Sequence, residues 1–366
     1  MKCAVISLGS TSSKMLVHAL KNYFDPVDHI NLKEIEFSIS GNEKTHLTYR
    51  GKPLSHYDCM YIKGSFRYAM LLKSITQFFT NDKTYIPLDS ESFITVNDKL
   101  LTHLELDKVK IPMPKTYVVP TVEAGKDLIS KIKFPIIIKL PQGTHGKGVM
   151  VVDSLAAAKG FLDTLNLLKQ PFIIQEYIEC GGEDIRCFVV GDRVVASMKR
   201  KSKEGDIRSN LHSGGSAQKY DAPERMKQIA VKAAKQLKCD ICGVDILETP
   251  EGGVVIEANV SPGLQGITKN SGVDVAEEIA KYLCMRTKEI LEKTAPLGRK
   301  VIAEEVGFAQ AANKPAQPTP QNIISKLEFR GPKIVIPENV VKLTGFVPEK
   351  DYVIIAAKDK LEIKKL

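Results

Sequence analysis

The sequence predicts an α/β protein that ends in a small β-rich module. Three observations carry this. Apolar strand patterns alternate with amphipathic helix patterns from residue 1 to about 284, as expected for helices layered on a sheet. A proline-rich polar tract, "NKPAQPTPQN", then breaks the rhythm with the composition of an extended linker. Beyond it lie four short β patterns with little helix. The expected organisation is an α/β domain over 1–101, a second unit over 102–285, a linker over 286–322 and a β module over 323–366.

The elements follow in chain order. "CAVISLG" reads as a strand, "SSKMLVHALKNYF" as an amphipathic helix capped by a serine, and "DCMYIKG" as a second strand, which suggests a parallel sheet with covering helices. "RYAMLLKSITQFF" is helical, and "NDKLLTHLEL" opens another helix with Asn97 or Asp98 as its cap. "KTYVV" is a strand and "VEAGKDLISKI" a helix; "PIIIKL", "VMVVD" and "PFIIQEYI" are strands. "DIRCFVVGDRVVASMKR" is a hairpin turning at Gly191-Asp192. "PERMKQIAVKAAKQL" places Met226, Ile229, Ala230, Ala233 and Leu237 on one helical face. "GVDILE" and "VVIEANV" are strands joined by "TPEGG", and a helix near 273–284 closes the unit. There is no internal repeat.

The balance of 43% hydrophobic and 26% charged residues is that of a globular protein. No run of about 18 apolar residues suggests a membrane-spanning helix, and the apolar start is too short for a signal peptide. Seven scattered cysteines, an odd number, argue against a disulfide framework and suit a cytoplasmic location. The C-x-x-C pair Cys239 and Cys242 has no second pair near it, and reads as two small apolar residues at a helix-to-strand junction. A net charge of +9 fits nucleotides, polyanionic substrates or nucleic acid as partners, and equally a solvated basic surface.

"KLPQGTHGKGV", residues 139–149, is rich in glycine and lysine but lacks the spacing of a P-loop. A strand enters it and a strand leaves it, so it is the tip of a β-hairpin. Its glycines let backbone N–H groups approach an anion; read alone, it is also an ordinary solvated turn. Lys139 ends an apolar run, where it either snorkels to solvent or pairs with an anion such as a nucleotide phosphate. In "GVDILETPEGGVVIEANV", setting Glu248 opposite Val254 places Asp245 opposite Glu257, and Glu257 and Asn259 share a face. Two carboxylates and an amide form a hard-oxygen set suited to Mg²⁺ or Mn²⁺. "KEGDIRSNLHSGG" adds Arg208 and Asn210 in a polar loop, where an arginine could neutralise a phosphoryl group in transit; read alone, it is also a mobile basic loop.

With these motifs in place, residues 1 to about 284 resemble the ATP-grasp superfamily, and within it the RimK-like α-L-glutamate ligases. "EGDIRSNLHSGG" and "EANVSPGLQGI" carry the resemblance most specifically. It implies an α/β ATP-grasp fold: a pre-ATP-grasp α/β domain followed by two subdomains that clamp ATP. It implies that Lys99 and Lys139 contact ATP phosphates, that Gly143, Thr144, Gly146 and Gly148 belong to the lid, and that Glu176, Tyr177 and Ile178 read the adenine. It likewise implies that Asp184 lies near the ribose and that Arg208, Ser209 and Asn210 lie at the transferred phosphate. It further implies that Asp245, Glu257 and Asn259 hold two Mg²⁺ or Mn²⁺ ions, with Arg208 and Asn259 as the catalytic residues. The implied reaction phosphorylates a carboxylate acceptor, a protein tail or a glutamylated coenzyme, and joins L-glutamate to it through its amine.

The last 40-odd residues resemble an AbrB/MazE-type module, which dimerises and often binds DNA. From Lys326 to Leu366 nine Lys/Arg stand against six Asp/Glu, a net of +3, mild for a DNA grip, so a homo-oligomer is the expected outcome. The alternatives are an ATP-grasp carboxylate–amine ligase using another amine, and a DNA-binding regulator that contacts nucleic acid through this module.

Overall fold

The computed structural model describes residues 1–39, 41, 45–54, 56–80, 84–141, 148–202 and 215–294, and short strands from 328 onward. The chain divides into two units, Met1–Lys300 and Val301–Leu366. The expected lid residues Gly143, Thr144 and Gly146, the loop residues Arg208, Ser209 and Asn210, and most of the expected linker lie outside the described residues.

The first unit opens with β1 (Cys3–Ser7), α1 (Thr11–Leu20), β2 (Val27–Asn31), β3 (Ile35–Ser38), β4 (His46–Tyr49), β5 (Lys52–Pro53), β6 (Cys59–Ile62) and α2 (Ala69–Thr80). The central β1 pairs in parallel with β2 on one side and β6 on the other. β1 and β6 are buried along their whole length, as expected for a parallel sheet covered on both faces. The mixed polar pattern of β2, "VDHIN", and the small antiparallel sheet β3–β4–β5 add elements that apolar periodicity does not mark. α3 (Ser92–Thr95) leads into α4 (Lys99–Lys108). Of the two expected caps, Asp98 fills the role, accepting from the Leu100 and Leu101 amides, while Asn97 donates to the Phe93 carbonyl.

Two antiparallel sheets follow. β7 (Thr116–Tyr117), α5 (Val122–Ile129), β8 (Ile136–Lys139), β9 (Val149–Val152), α6 (Leu155–Leu167) and β10 (Ile173–Glu176) build the first, in strand order β7-β10-β8-β9. The second comes from β11 (Glu183–Val190), β12 (Arg193–Lys201), β13 (Ser216–Lys219), α7 (Glu224–Gln236), β14 (Ile241–Thr249) and β15 (Gly252–Asn259), in order β13-β12-β11-β14-β15. α8 (Gln265–Ser271) and α9 (Val275–Thr294) end the unit. α9 runs past the boundary expected at 285, because its apolar face continues into Ile290, which packs on the core. α6 is absent from the linear reading, although Ala158, Leu162 and Leu165 are buried at helical spacing. Cys239 and Cys242 are buried core residues.

The second unit holds two hairpins, β16 (Glu328–Arg330) with β17 (Lys333–Val335), and β18 (Tyr352–Ala357) with β19 (Lys360–Lys365). Among the described residues of this unit these are four short strands. Among the described residues, no helix is long and apolar enough to cross a membrane.

Candidate functional site

A cavity of about 730 Å³ lies among the three main sheets of the first unit, large enough for a nucleotide-sized ligand. Lys139 and Val149, which flank the stretch rich in glycine and lysine, line this cavity. β8 and β9 pair antiparallel with Lys139 opposite Val149, so the flanks form the expected hairpin. Gly148 closes its neck with φ +77°, and a Cβ there would press on the Leu140 side chain at 3.0 Å. Its carbonyl accepts from the Leu140 amide at 3.0 Å.

Lys139 is 6% exposed and lines this cavity, so it does not snorkel away. Burial first, and then Lys99, lower its pKa to about 8, while Glu257 pulls the other way. Lys99 is the first residue of α4 and faces the same cavity. Glu176, Tyr177 and Ile178 follow along β10 and past its end, with Ile137, Leu247 and Ile256 supplying apolar wall nearby. The Glu176 carboxylate accepts from the Lys115 amide at 2.7 Å, and the Glu176 amide donates to the Lys115 carbonyl at 2.9 Å.

The carboxylate hairpin is built as expected at its centre and differently at its tip. Asp245 stands opposite Glu257. Beyond a β-bulge at Asp245/Ile246 the register moves by one, so Glu248 faces Gly253 and Leu247 faces Val254. This corrects the expected Glu248–Val254 pairing. The bulge absorbs one residue, and the two registers agree only on the cavity side of it. Asp245, Glu257 and Asn259 all line the cavity.

Linear reading missed the partners of these acids. Arg186 grips Asp245 with two bonds of 2.7 Å. Arg200 grips Asp184 at 2.6 and 2.7 Å and reaches Asp245 at 2.8 Å. The row Asp184, Arg200, Asp245, Arg186 is set by register: Asp184 pairs with Arg200, and Arg186 with Asp245. The alternating charges of "EDIR" and "MKRK" signal this face, but a bulge at Phe188/Val189 decides that Arg200, not Lys199, meets Asp184. Asp184, expected beside a ribose, is thus 4% exposed and held in an ion pair. Breaking one partner of such a pair costs about 3–5 kcal/mol.

Burial alone would raise Asp245; Arg186 and Arg200 outweigh it and hold the carboxyl at about 2. Glu257 is raised above its ordinary value, first by burial and then by the charge of Asp245, against the pull of Lys99, Arg186 and Lys139. A cation between the two acids would relieve that repulsion. Among the described residues, three bonds reach Asp245, three of its roughly four acceptor positions. Asn259 Oδ1 accepts from the Ser261 amide at 2.9 Å, and among the described residues its second lone pair has no other donor. Among the described residues no three His, Cys, Asp or Glu side chains converge on a metal site. Two carboxylates and an amide nevertheless fit Mg²⁺, which retains waters and takes phosphate oxygens in its other positions. Behind them His103 is buried with neither ring nitrogen hydrogen-bonded among the described residues. Burial first, then Lys139 and Lys99, hold it neutral with a pKa of about 4.

A family profile described as a RimK-like ATP-grasp domain matches residues 96–283. A "Probable alpha-L-glutamate ligase" of Stenotrophomonas maltophilia is 35% identical over 287 residues, covering 77% of this chain and 98% of the relative. A "Ribosomal protein bS6--L-glutamate ligase" of Escherichia fergusonii is 35% identical over 294 residues, covering 77% and 95%. Among solved structures, the ATP-grasp ligase PsnB complexed with minimal precursor, Mg and ADP superposes with a TM-score of 0.61 at 15% identity, covering 78% of this chain and 98% of that one. A RimK domain ATP-grasp protein of Sphaerobacter thermophilus gives 0.59 at 18%, covering 77% and 99%. These two likenesses speak for the ATP-grasp fold.

Proposed function

The chain belongs to the RimK-like ATP-grasp family, and from that premise we propose that it is an ATP- and Mg²⁺-dependent α-L-glutamate ligase. The acceptor carboxylate takes the terminal phosphoryl group of ATP, and the amine of L-glutamate then displaces phosphate to form an amide. The acceptor is a protein tail or a glutamylated coenzyme; the relative named for ribosomal protein bS6 favours the former. The observation that carries the reading is the meeting of Lys99, Lys139, Asp245, Glu257 and Asn259 in one cavity.

The residues divide the work. Lys99 and Lys139 hold the nucleotide phosphates, and Glu176, Tyr177 and Ile178 present the edge that reads the adenine. Glu257, Asn259 and the remaining acceptor of Asp245 hold Mg²⁺, which neutralises charge on the transferring phosphoryl group when bound. Arg186 and Arg200 fix the Asp245 carboxylate, and Asp184 acts on the ribose side through Arg200. Gly143, Thr144, Gly146 and Gly148 supply the lid; Arg208, Ser209 and Asn210 close over the phosphoryl group, with Arg208 and Asn259 nearest the chemistry. Catalysis then rests on positioning and charge neutralisation, with no covalent enzyme nucleophile. The second unit serves as an AbrB/MazE-like module that makes a homo-oligomer, supported by its two hairpins and mild charge. Seven free cysteines support a cytoplasmic setting.

The test incubates the full chain with ATP, Mg²⁺, L-glutamate and a peptide ending in Glu-Glu. Phosphate release should depend on glutamate, and mass spectrometry should find added glutamyl residues. Glu257→Gln keeps the shape and should slow turnover about a hundredfold or more. Glutamate-independent hydrolysis with no glutamyl product, or a fully active Glu257→Gln, overturns the reading.

A further inference from the structure

The cavity holds a buried cation that the chemistry above leaves without a task. Lys63 follows β6 on the parallel sheet, is 7% exposed and lines the same cavity. Its described hydrogen bond is to a neutral group, the Pro262 carbonyl at 3.3 Å. Arg186 and Arg200, which line the same cavity, are matched by Asp245 and Asp184. No carboxylate among the described residues pairs with Lys63. A buried ammonium without a counter-charge is costly, and burial lowers Lys63 to about 8.

The N-terminus of α1 lies on the same wall. Ser10, Ser12 and Ser13 line the cavity, and the first turn of this ten-residue helix carries no acidic side chain. Its dipole and its first amides therefore add to the positive potential beside Lys63. Both features are tied to the carboxylate hairpin. The segment after β15 is pinned to them by the Leu264 amide donating to Ser12 Oγ at 2.9 Å, the Gly64 amide donating to Ser261 Oγ at 3.2 Å, and Lys63 itself on Pro262. Asn259 ends β15, immediately before that segment. An anion held at Lys63 is thus placed relative to Glu257 and Asn259 by a few residues of hydrogen-bonded chain.

Resting on the ligase reading, we propose that Lys63 and the first turn of α1 form the binding site for a substrate carboxylate, separate from the lysines that hold phosphate. Both organic substrates of such a ligase carry carboxylates, so the ligand is L-glutamate or the acceptor. The site is a specificity device: an amide in place of the carboxylate leaves the ammonium buried and unpaired.

The experiment uses the full chain with Mg²⁺ and AMPPNP for calorimetry, and ATP for kinetics. The probes are L-glutamate, L-glutamine and a peptide ending in Glu-Glu. Lys63→Met removes an unpaired buried charge and should fold; Lys63→Gln is the second neutral variant, and Lys63→Arg keeps the charge. In the neutral variants the Kd or KM of one carboxylate substrate should rise about tenfold or more, with AMPPNP affinity within about twofold. Lys63→Arg should recover most of the loss. If L-glutamate is the ligand, its own constant rises and its preference over L-glutamine is lost. If the acceptor is the ligand, the peptide KM alone rises. Unchanged constants for both substrates, a parallel loss of AMPPNP affinity, or an equal loss in Lys63→Arg overturns the proposal while glutamyl transfer by the wild type stands. A wild type that neither binds L-glutamate nor transfers it overturns the ligase reading and this site with it.

Discussion

Lys139 sets the pH behaviour expected of the nucleotide site. Burial and its neighbour Lys99 lower it to about 8, so in the free protein it is a cation below that pH and neutral above it. Phosphates bind the cation. Nucleotide affinity should be flat from about pH 7 to 8 and then fall by up to about tenfold per pH unit, because binding must restore the proton. Lys139→Met should bind more weakly at pH 7 but show no such fall. Calorimetry with AMPPNP from about pH 7 to 9.5 checks both slopes. A flat wild-type profile removes Lys139 from the phosphate site. Asp245 is the opposite case: two guanidiniums keep it ionised far below this range, so it contributes a constant charge.

At the scale of elements, the β11–β12 hairpin carries Asp184, Arg186 and Arg200, and its turn depends on one glycine. Gly191 has φ +65°, and a Cβ there would overlap the Tyr282 ring on α9. Gly191→Ala therefore combines left-handed strain with a steric clash against a packed aromatic. It should lower stability by about 2–3 kcal/mol, read as a lower urea midpoint with an unchanged slope. If stability is unchanged, the turn relaxes freely and does not hold the charged face in register.

The whole molecule divides into two units. Residues Met1–Lys300 form one unit whose apolar clusters span the parallel sheet, both antiparallel sheets and the helices between them. Ending the chain after Lys300 should leave this unit folded, with glutamate-dependent ATP turnover within about twofold of the full chain. Light scattering should then report a smaller oligomer. An insoluble or inactive product places the second unit in the catalytic core; an unchanged oligomer removes its assembly role. The boundary itself had to be found in three dimensions, since α9 continues to Thr294 where composition already suggested linker.

The sequence by itself determined what depends on near neighbours. The period of two along "VVIEANV" puts Glu257 and Asn259 on one face, whereas Asp245 stands opposite Glu257 only because the bulge at Asp245/Ile246 shifts the register. The hairpin flanks of the glycine loop were likewise local, and so was the start of α4, where the sequence offered Asn97 or Asp98 and the structure uses Asp98. Elements with weak apolar contrast, such as β2, were not legible, because their strand state comes from pairing with β1 rather than from their own pattern. Tertiary structure alone decided the rest. Arg186 meets Asp245 across 59 residues of chain, Lys63 meets Pro262 across 199, and two bulges choose which charges face each other. Register and burial are properties of strands brought together by the whole core. A buried charge acquires its partner, or its need for a ligand, only once that core has excluded water.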